Sequence, residues 1–328
     1  MITRRMTLAG GLVGLAAACS PAKKEAAGRT AIRFATDWRA EAEHGGFYQA
    51  LATGEYAKRG LDVTLIQGGP AVNVPQLLGS ESIEMGVGSN GFIGLNLAIQ
   101  KVPAKAVAAF FQKDPQVLIA HPDAGINSLA DMKGHPILLA DASRDSFWPW
   151  LRAKYGFSDD QIRKYNYSVA PFLAEKSAVV QGYATSEPYT IEKEGHIKPA
   201  VFLLADAGYP SYACMGLAHD KLIATNPAAV QAFVDASIAG WKSFLYGDAK
   251  PADGLILKDN PEMTQDTLDQ AREKMKSFGI VSAGPDAPIG AMTDERWDAF
   301  LKAVSAQDPS HFPADTPIKT AYTLKFLK

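Results

Sequence analysis

From residue 31 onward, short apolar runs alternate with stretches whose apolar positions recur every three or four residues. Residues 31–36 read as a strand, and 47–58 carry helical spacing closed by Arg59-Gly60. Residues 61–67 (LDVTLIQ) alternate with period two and stop at Gly68-Gly69-Pro70. Residues 72–78 suit a helix, 83–87 a third strand ending at Gly88-Ser89-Asn90, and 92–100 a further helix. This strand–helix rhythm predicts an α/β fold with a parallel sheet covered by helices.

A second, smaller α/β unit is predicted over about 121–208. Residues 117–120 form the strand that leaves the first unit, 128–133 a short helix stopped by Gly134, and 136–140 a strand. Ser143 reads as the N-cap of a helix holding Phe147, Trp148, Trp150 and Leu151. Strands are expected to begin at Val179-Val180 and to cover 201–204. The last third is mainly helical. Asn226-Pro227 is an N-cap followed by proline at the first helical position, and Val230, Phe233, Val234, Ile238, Trp241 and Leu245 then share one face. A helix from about Thr264 stops at Gly279, and another aligns Trp297, Phe300, Leu301 and Val304. These aromatics read as core.

The N-terminus changes the picture. Arg4 and Arg5 precede an apolar, small-residue stretch over 8–18, shorter than the roughly 20 residues a spanning helix needs. Residues 1–18 read as a signal peptide, by the general or the twin-arginine route. Cys19 follows Ala16-Ala17-Ala18 and reads as a lipidation site, with ordinary cleavage after Ala18 as the alternative. Residues 19–29 form a tether to the membrane. Losing Arg4 and Arg5 takes the formal charge from −2 to −4, and no lysine–arginine block stands out, so nucleic acid is not an expected partner. Cys214 is the other cysteine and reads as a buried small hydrophobe, so neither a disulfide framework nor a cysteine-based metal site is expected.

No Walker A, G-x-S-x-G or H-E-x-x-H motif occurs, and the six histidines make no metal-ligand spacing. Neither cofactor nor metal is expected.

Asp37-Trp38-Arg39-Ala40-Glu41-Ala42-Glu43-His44-Gly45-Gly46-Phe47-Tyr48 resembles the D-W-x-P-N-x-x-H-x-G-x-Y segment of periplasmic binding proteins related to thiamine-pyrimidine-precursor synthases, near the alkanesulfonate and taurine binders. Asp37, Trp38, His44, Gly46 and Tyr48 match, while Ala40 and Glu41 replace Pro-Asn. Gly54-Glu55-Tyr56 with Gly60-Leu61-Asp62-Val63, residues 77–88, and 182–189 (GYATSEPY) extend the similarity in order. The resemblance implies a two-lobed type II periplasmic binding fold that closes about a hinge. Lobe one is expected over 30–118 plus 210–328, and lobe two over 119–209.

Ligands of open α/β sheets bind beyond the carboxyl ends of strands, which selects the candidates. Trp38 offers a ring face, or lobe packing. His44 offers a ring nitrogen, or a cap or interlobe bond. Gly69, beside Gly68, offers close backbone approach, or merely a turn. Ser89 and Asn90 offer oxygens and a helix start to a polar or anionic group, or only capping. Ser143 sits in the matching loop of lobe two with Asp145 and with Arg144, the last expected to pair with lobe one on closure. Tyr183 and Glu187 come from the returning segment, Glu187 to accept bonds from an aminopyrimidine or to form a hinge salt bridge. The expected function is capture of an aromatic heterocycle, such as a pyrimidine thiamine precursor, by a monomeric, periplasmic, lipid-anchored protein that serves an ABC importer permease. An aliphatic sulfonate, taurine or nitrate binder is the alternative, and a pyrimidine-precursor synthase-like enzyme the alternative of another class.

Overall fold

The apolar run after the tether forms β1 (Thr30–Ala35), with Ile32 and Phe34 buried and Ala31 and Arg33 turned outward. This is a computed structural model, and it describes residues 28–327. The expected signal peptide, the expected lipidation site Cys19 and most of the expected tether lie outside the described residues.

The single helix predicted over 47–58 is two, α1 (Gly45–Ala52) and α2 (Glu55–Lys58). Gly54 between them has φ +73°, a left-handed conformation that cannot continue a right-handed helix. β2 (Leu61–Ile66), α3 (Val74–Gly79), β3 (Met85–Asn90) and α4 (Gly91–Ile99) follow the sequence pattern closely. β4 (Ala104–Phe111) carried no period-two signal, because all its residues but Lys105 are buried.

The chain then crosses to a second sheet. Its elements are β5 (Gln116–Ala120), β6 (Ile137–Leu139), α5 (Asp141–Arg144), α6 (Phe147–Tyr155), β7 (Ile162–Lys164), α7 (Ala170–Ala174), β8 (Val179–Tyr183), α8 (Glu187–Gly195) and β9 (Ala200–Leu203). Ser143 does not cap α6. It lies inside α5, buried, and Ser146 precedes α6. The chain returns as β10 (Ala213–His219), then α9 (Asp220–Thr225), α10 (Pro227–Tyr246), α11 (Lys250–Asp259), α12 (Gln265–Ser277) and α13 (Asp294–Ser305). Asn226 caps α10 as expected, its side chain accepting from the Ala229 N–H. The helix α11 was not anticipated.

Strand order is β2-β1-β3-β10-β4 in one sheet and β7-β6-β8-β5-β9 in the other. Each sheet is mixed rather than parallel. β10 runs antiparallel to β3 and β4, and β5 antiparallel to β8 and β9. These are the strands beside the two crossings, where the chain enters each sheet from the other. Arg296 of α13 joins the crossings: its guanidinium donates to the carbonyls of Gln112, Pro210 and Ser211 at 2.6, 3.0 and 2.8 Å and stacks on Tyr212.

Helices α1 and α10 approach backbone to backbone under the first sheet. A Cβ on Gly240 would lie 2.1 Å from the Gly46 carbonyl oxygen, so only glycine permits this crossing. Trp241, Phe233 and Phe47 then fill the layer between helices and sheet, each fully buried and each worth about 1.5–3 kcal/mol. Trp297, Phe300 and Val304 of α13 are buried likewise, on the other side of the sheet. Among the described residues, no helix is long and apolar enough to cross a membrane.

Candidate functional site

The carboxyl ends of β1 and β3 face those of β6 and β8 across a cavity of about 490 Å³. Trp38 enters it from the loop after β1, and Ser89 and Asn90 are the last two residues of β3. Ser143, Asp145 and Phe147 enter from the loop after β6, and Tyr183 and Glu187 from the end of β8 and the start of α8. Six of the eight ligand residues read from the sequence therefore converge: Trp38, Ser89, Asn90, Ser143, Tyr183 and Glu187.

Two do not. Gly69 lies outside the lining, in a turn where its carbonyl accepts from the Val72 N–H. The Gly68-Gly69 pair serves the turn because Gly68 packs against the Thr36 carbonyl and bonds Thr36 Oγ1 and the Trp38 carbonyl. His44 is buried one layer back. Its Nε2 lies 2.9 Å from Asp37 Oδ1, and it is Asp37 that faces the cavity. His44 Nδ1 is buried with no partner among the described residues, and His44 and Cys214 both line a side chamber of about 30 Å³. Cys214 is buried as expected, though its φ of +43° leaves regular strand geometry, and its Sγ lies 3.5 Å from the Glu43 carbonyl oxygen. Among the described residues Arg144 has no ion pair across the cleft. It pairs with Asp141 on its own turn at 3.9 Å.

Several lining residues escaped the sequence reading. Tyr167 comes from the loop between β7 and α7, is largely exposed, and holds φ +61°. Its ring centroid is 6.0 Å from that of Trp38 on the other side of the cleft. A left-handed, non-glycine residue costs on the order of 1 kcal/mol and is concentrated at functional sites. The Tyr165-x-Tyr167 pair in a polar loop was the available signal. Glu41, Glu43 and Asp114 also line the cavity. The first two were visible only as members of the Asp37–Tyr48 segment, and Asp114 sits in a crossing that nothing local marks.

The electrostatics are one-signed. Asp37, Glu41, Glu43, Asp114, Asp145 and Glu187 line the cavity, and among the described residues no lysine, arginine or histidine does. Burial acts to raise the Asp37 pKa, but the hydrogen bond and charge of His44, with a bond from Ser89, outweigh it and hold the carboxyl below its usual range. Glu41 is pushed well up, first by burial and then by the negative charges of Glu43, Asp37 and Glu187. Burial raises Glu43, opposed by the Thr185 hydroxyl that donates to it. Burial pushes Asp114 up to about 6, against the Gln116 N–H, Ser211 and Arg296. Glu187 accepts from the Tyr183 N–H at 2.7 Å, from Tyr165 at 3.3 Å and from Ser186, and makes no hinge salt bridge among the described residues.

The helix start offered by α4 is occupied. Asn90 Oδ1 takes the Phe92 N–H, and Ser211 Oγ takes that of Gly91. The N–H groups of those two residues are therefore already bonded, and Asn90 both caps α4 and lines the cavity.

Comparison with known proteins places this arrangement. The family model described as NMT1/THI5 like matches residues 41–248. The chain is 25% identical over 291 residues to the riboflavin-binding protein RibY of Chloroflexus aurantiacus, covering 86% of this chain and 81% of that protein. It is 22% identical over 292 residues to the formylaminopyrimidine-binding protein of Halalkalibacterium halodurans, covering 83% and 84%. Its fold is that of the periplasmic aliphatic sulphonate binding protein SsuA of Escherichia coli, with a TM-score of 0.68 and 13% identity over 89% of this chain and 92% of that one. The chain thus belongs to the NMT1/THI5-like family and has the type II fold of periplasmic binding proteins.

Proposed function

We propose that the cavity captures a flat aromatic heterocycle, with a pyrimidine thiamine precursor as the first candidate, and hands it to the permease of an ABC importer. The observation that carries this reading is the lining itself: rings of Trp38, Tyr167, Phe147 and Tyr183 beside carboxylates, with no cationic side chain among the described residues. A ring covers those faces at small entropic cost, because each aromatic wall has few torsions to fix. Ring N–H and amino groups donate to carboxylates in charge-assisted bonds worth about 1.5–3 kcal/mol each. The relatives named for riboflavin and formylaminopyrimidine, both planar heterocycles, support the same class.

A sulfonate or nitrate needs converging donors, and this lining opposes it by charge. Closure of residues 119–209 on 30–118 plus 210–328 buries the ligand in this reading, with Trp38 and Tyr167 meeting over it. The working protein is a monomer held at the periplasmic side of a membrane through lipid on Cys19.

A thermal-shift screen of the mature chain with aminopyrimidines, thiamine, riboflavin, taurine, alkanesulfonates and nitrate tests this. A ligand at a thousand times its Kd adds about 4 kcal/mol of stability. Stabilisation by heterocycles, lost in Trp38→Ala, supports the reading. Stabilisation by sulfonate or nitrate alone overturns it.

A further inference from the structure

We infer that the solute carries a positive charge, a protonated or quaternary nitrogen that the Glu41 carboxylate faces in the bound state. The inference rests on the heterocycle reading and narrows it to cations.

The carboxylates of the cavity are not equivalent. Asp37 has His44 behind it, and Asp114 has the Gln116 N–H at 3.0 Å and Arg296 nearby. Glu187 is filled by three donors, and Glu43 takes the Thr185 hydroxyl. Glu41 and Asp145 have no hydrogen-bond donor among the described residues. Glu41 is partly buried and lines the cavity together with Asp37, Glu43 and Glu187, while Asp145 is exposed. The cavity therefore holds a carboxyl group that no described side chain partners, open to what enters the cavity and set among other acidic groups.

A neutral ring that donates to Glu41 satisfies the hydrogen bond and leaves the field uncompensated. A cation satisfies both. The ring faces suit the same ligand: Trp38 and Tyr167 each present an electron-rich face at the mouth, to which a ring cation is drawn. Electroneutral lining would be enough for a neutral heterocycle, so six acids against no base is a feature that the heterocycle reading alone does not explain.

The test uses the mature chain and matched probes at pH 7.5: 1-methylnicotinamide against nicotinamide, which differ by one methyl group and one charge, with thiamine as a second cation, riboflavin as a neutral ring and methanesulfonate as an anion. Kd is measured by calorimetry in low and high salt. The expected result is that at least one cation binds, about tenfold or more tighter than any neutral ring, and weakens as salt rises. Glu41→Gln should lower the cation preference to about threefold or less with an apo protein no less stable than the wild type, and exposed Asp145→Asn should weaken the cation in the same direction. Riboflavin or nicotinamide binding as tightly as the cations overturns this inference and leaves the heterocycle reading standing. Methanesulfonate binding with no ring binding overturns both. Failure of every cation to bind also overturns the inference.

Discussion

The rings of Trp38 and Tyr167 face each other across the cleft with centroids 6.0 Å apart, one carried by the loop after β1 and the other by the loop before α7. Their separation by more than a hundred residues in sequence closes to a single aromatic gate. Tyr167 holds its place at φ +61°, and the residue is 63% exposed. Replacing it by glycine removes the ring and relaxes the backbone. Tyr167→Gly should leave the apo protein as stable or more stable by up to about 1 kcal/mol, while ligand affinity falls about tenfold. Urea denaturation and calorimetry on the same sample check both halves, and loss of stability with unchanged affinity would contradict the assignment.

The buried acids set a pH dependence of definite sign. Glu41, Glu43 and Asp114 have folded-state pKa values raised above those of the unfolded chain. Their neutral forms suit the apo fold, so their contribution is fully present below the unfolded pKa near 4 and is lost as pH rises through the folded values, about 6 for Asp114. Apo stability should therefore fall between pH 5 and 7.5, by on the order of 2 kcal/mol from Asp114 alone. Asp114→Asn should remove that part of the slope. Asp37, held low, acts oppositely and only at more acid pH. Denaturation at the two pH values decides it, and a flat or rising profile in the wild type would be the contrary result.

Arg296 ties the two crossings together, so its loss leaves three carbonyls without their donor. Arg296→Ala should cost about 3 kcal/mol. Arg296→Lys should recover only part, because an ammonium cannot reproduce the planar fork that serves Gln112, Pro210 and Ser211 at once. Unfolding midpoints of the three proteins, compared at one pH, test the order wild type, then lysine, then alanine.

The contact of α1 with α10 makes Gly240 irreplaceable. Gly240→Ala puts a Cβ 2.1 Å from the Gly46 carbonyl oxygen and 2.7 Å from Ala50 Cβ, so the helices must part. A loss of at least about 2 kcal/mol is expected from overpacking. An alanine variant that melts with the wild type would mean that the helices do not cross as closely as described.

Much of the fold was legible because its signals are local. Asn226-Pro227, the alternation of 61–67 and the Asn90 cap each report on a few neighbouring residues, and each has its counterpart in the structure. The failures share a cause as well. Gly54 breaks a helix whose apolar spacing runs on through it, and β4 shows no alternation because both of its faces are covered. Trp38, Tyr183 and Glu187 were reached through strand ends and resemblance, and they do line the cavity. Tyr167 and Asp114 were not, since nothing local marks them and they join the cavity only through the packing of one sheet's loops against the other's. His44 shows the remaining gap: the motif marks it, yet only the three-dimensional arrangement shows that it faces Asp37 and stands behind the cavity.

The most direct test of the account is calorimetric titration of the mature chain with an aminopyrimidine and with an alkanesulfonate, each repeated on Trp38→Ala. The account predicts saturable binding of the aminopyrimidine that the substitution weakens about tenfold or more, and no binding of the sulfonate. Saturable sulfonate binding that Trp38→Ala leaves untouched would contradict it.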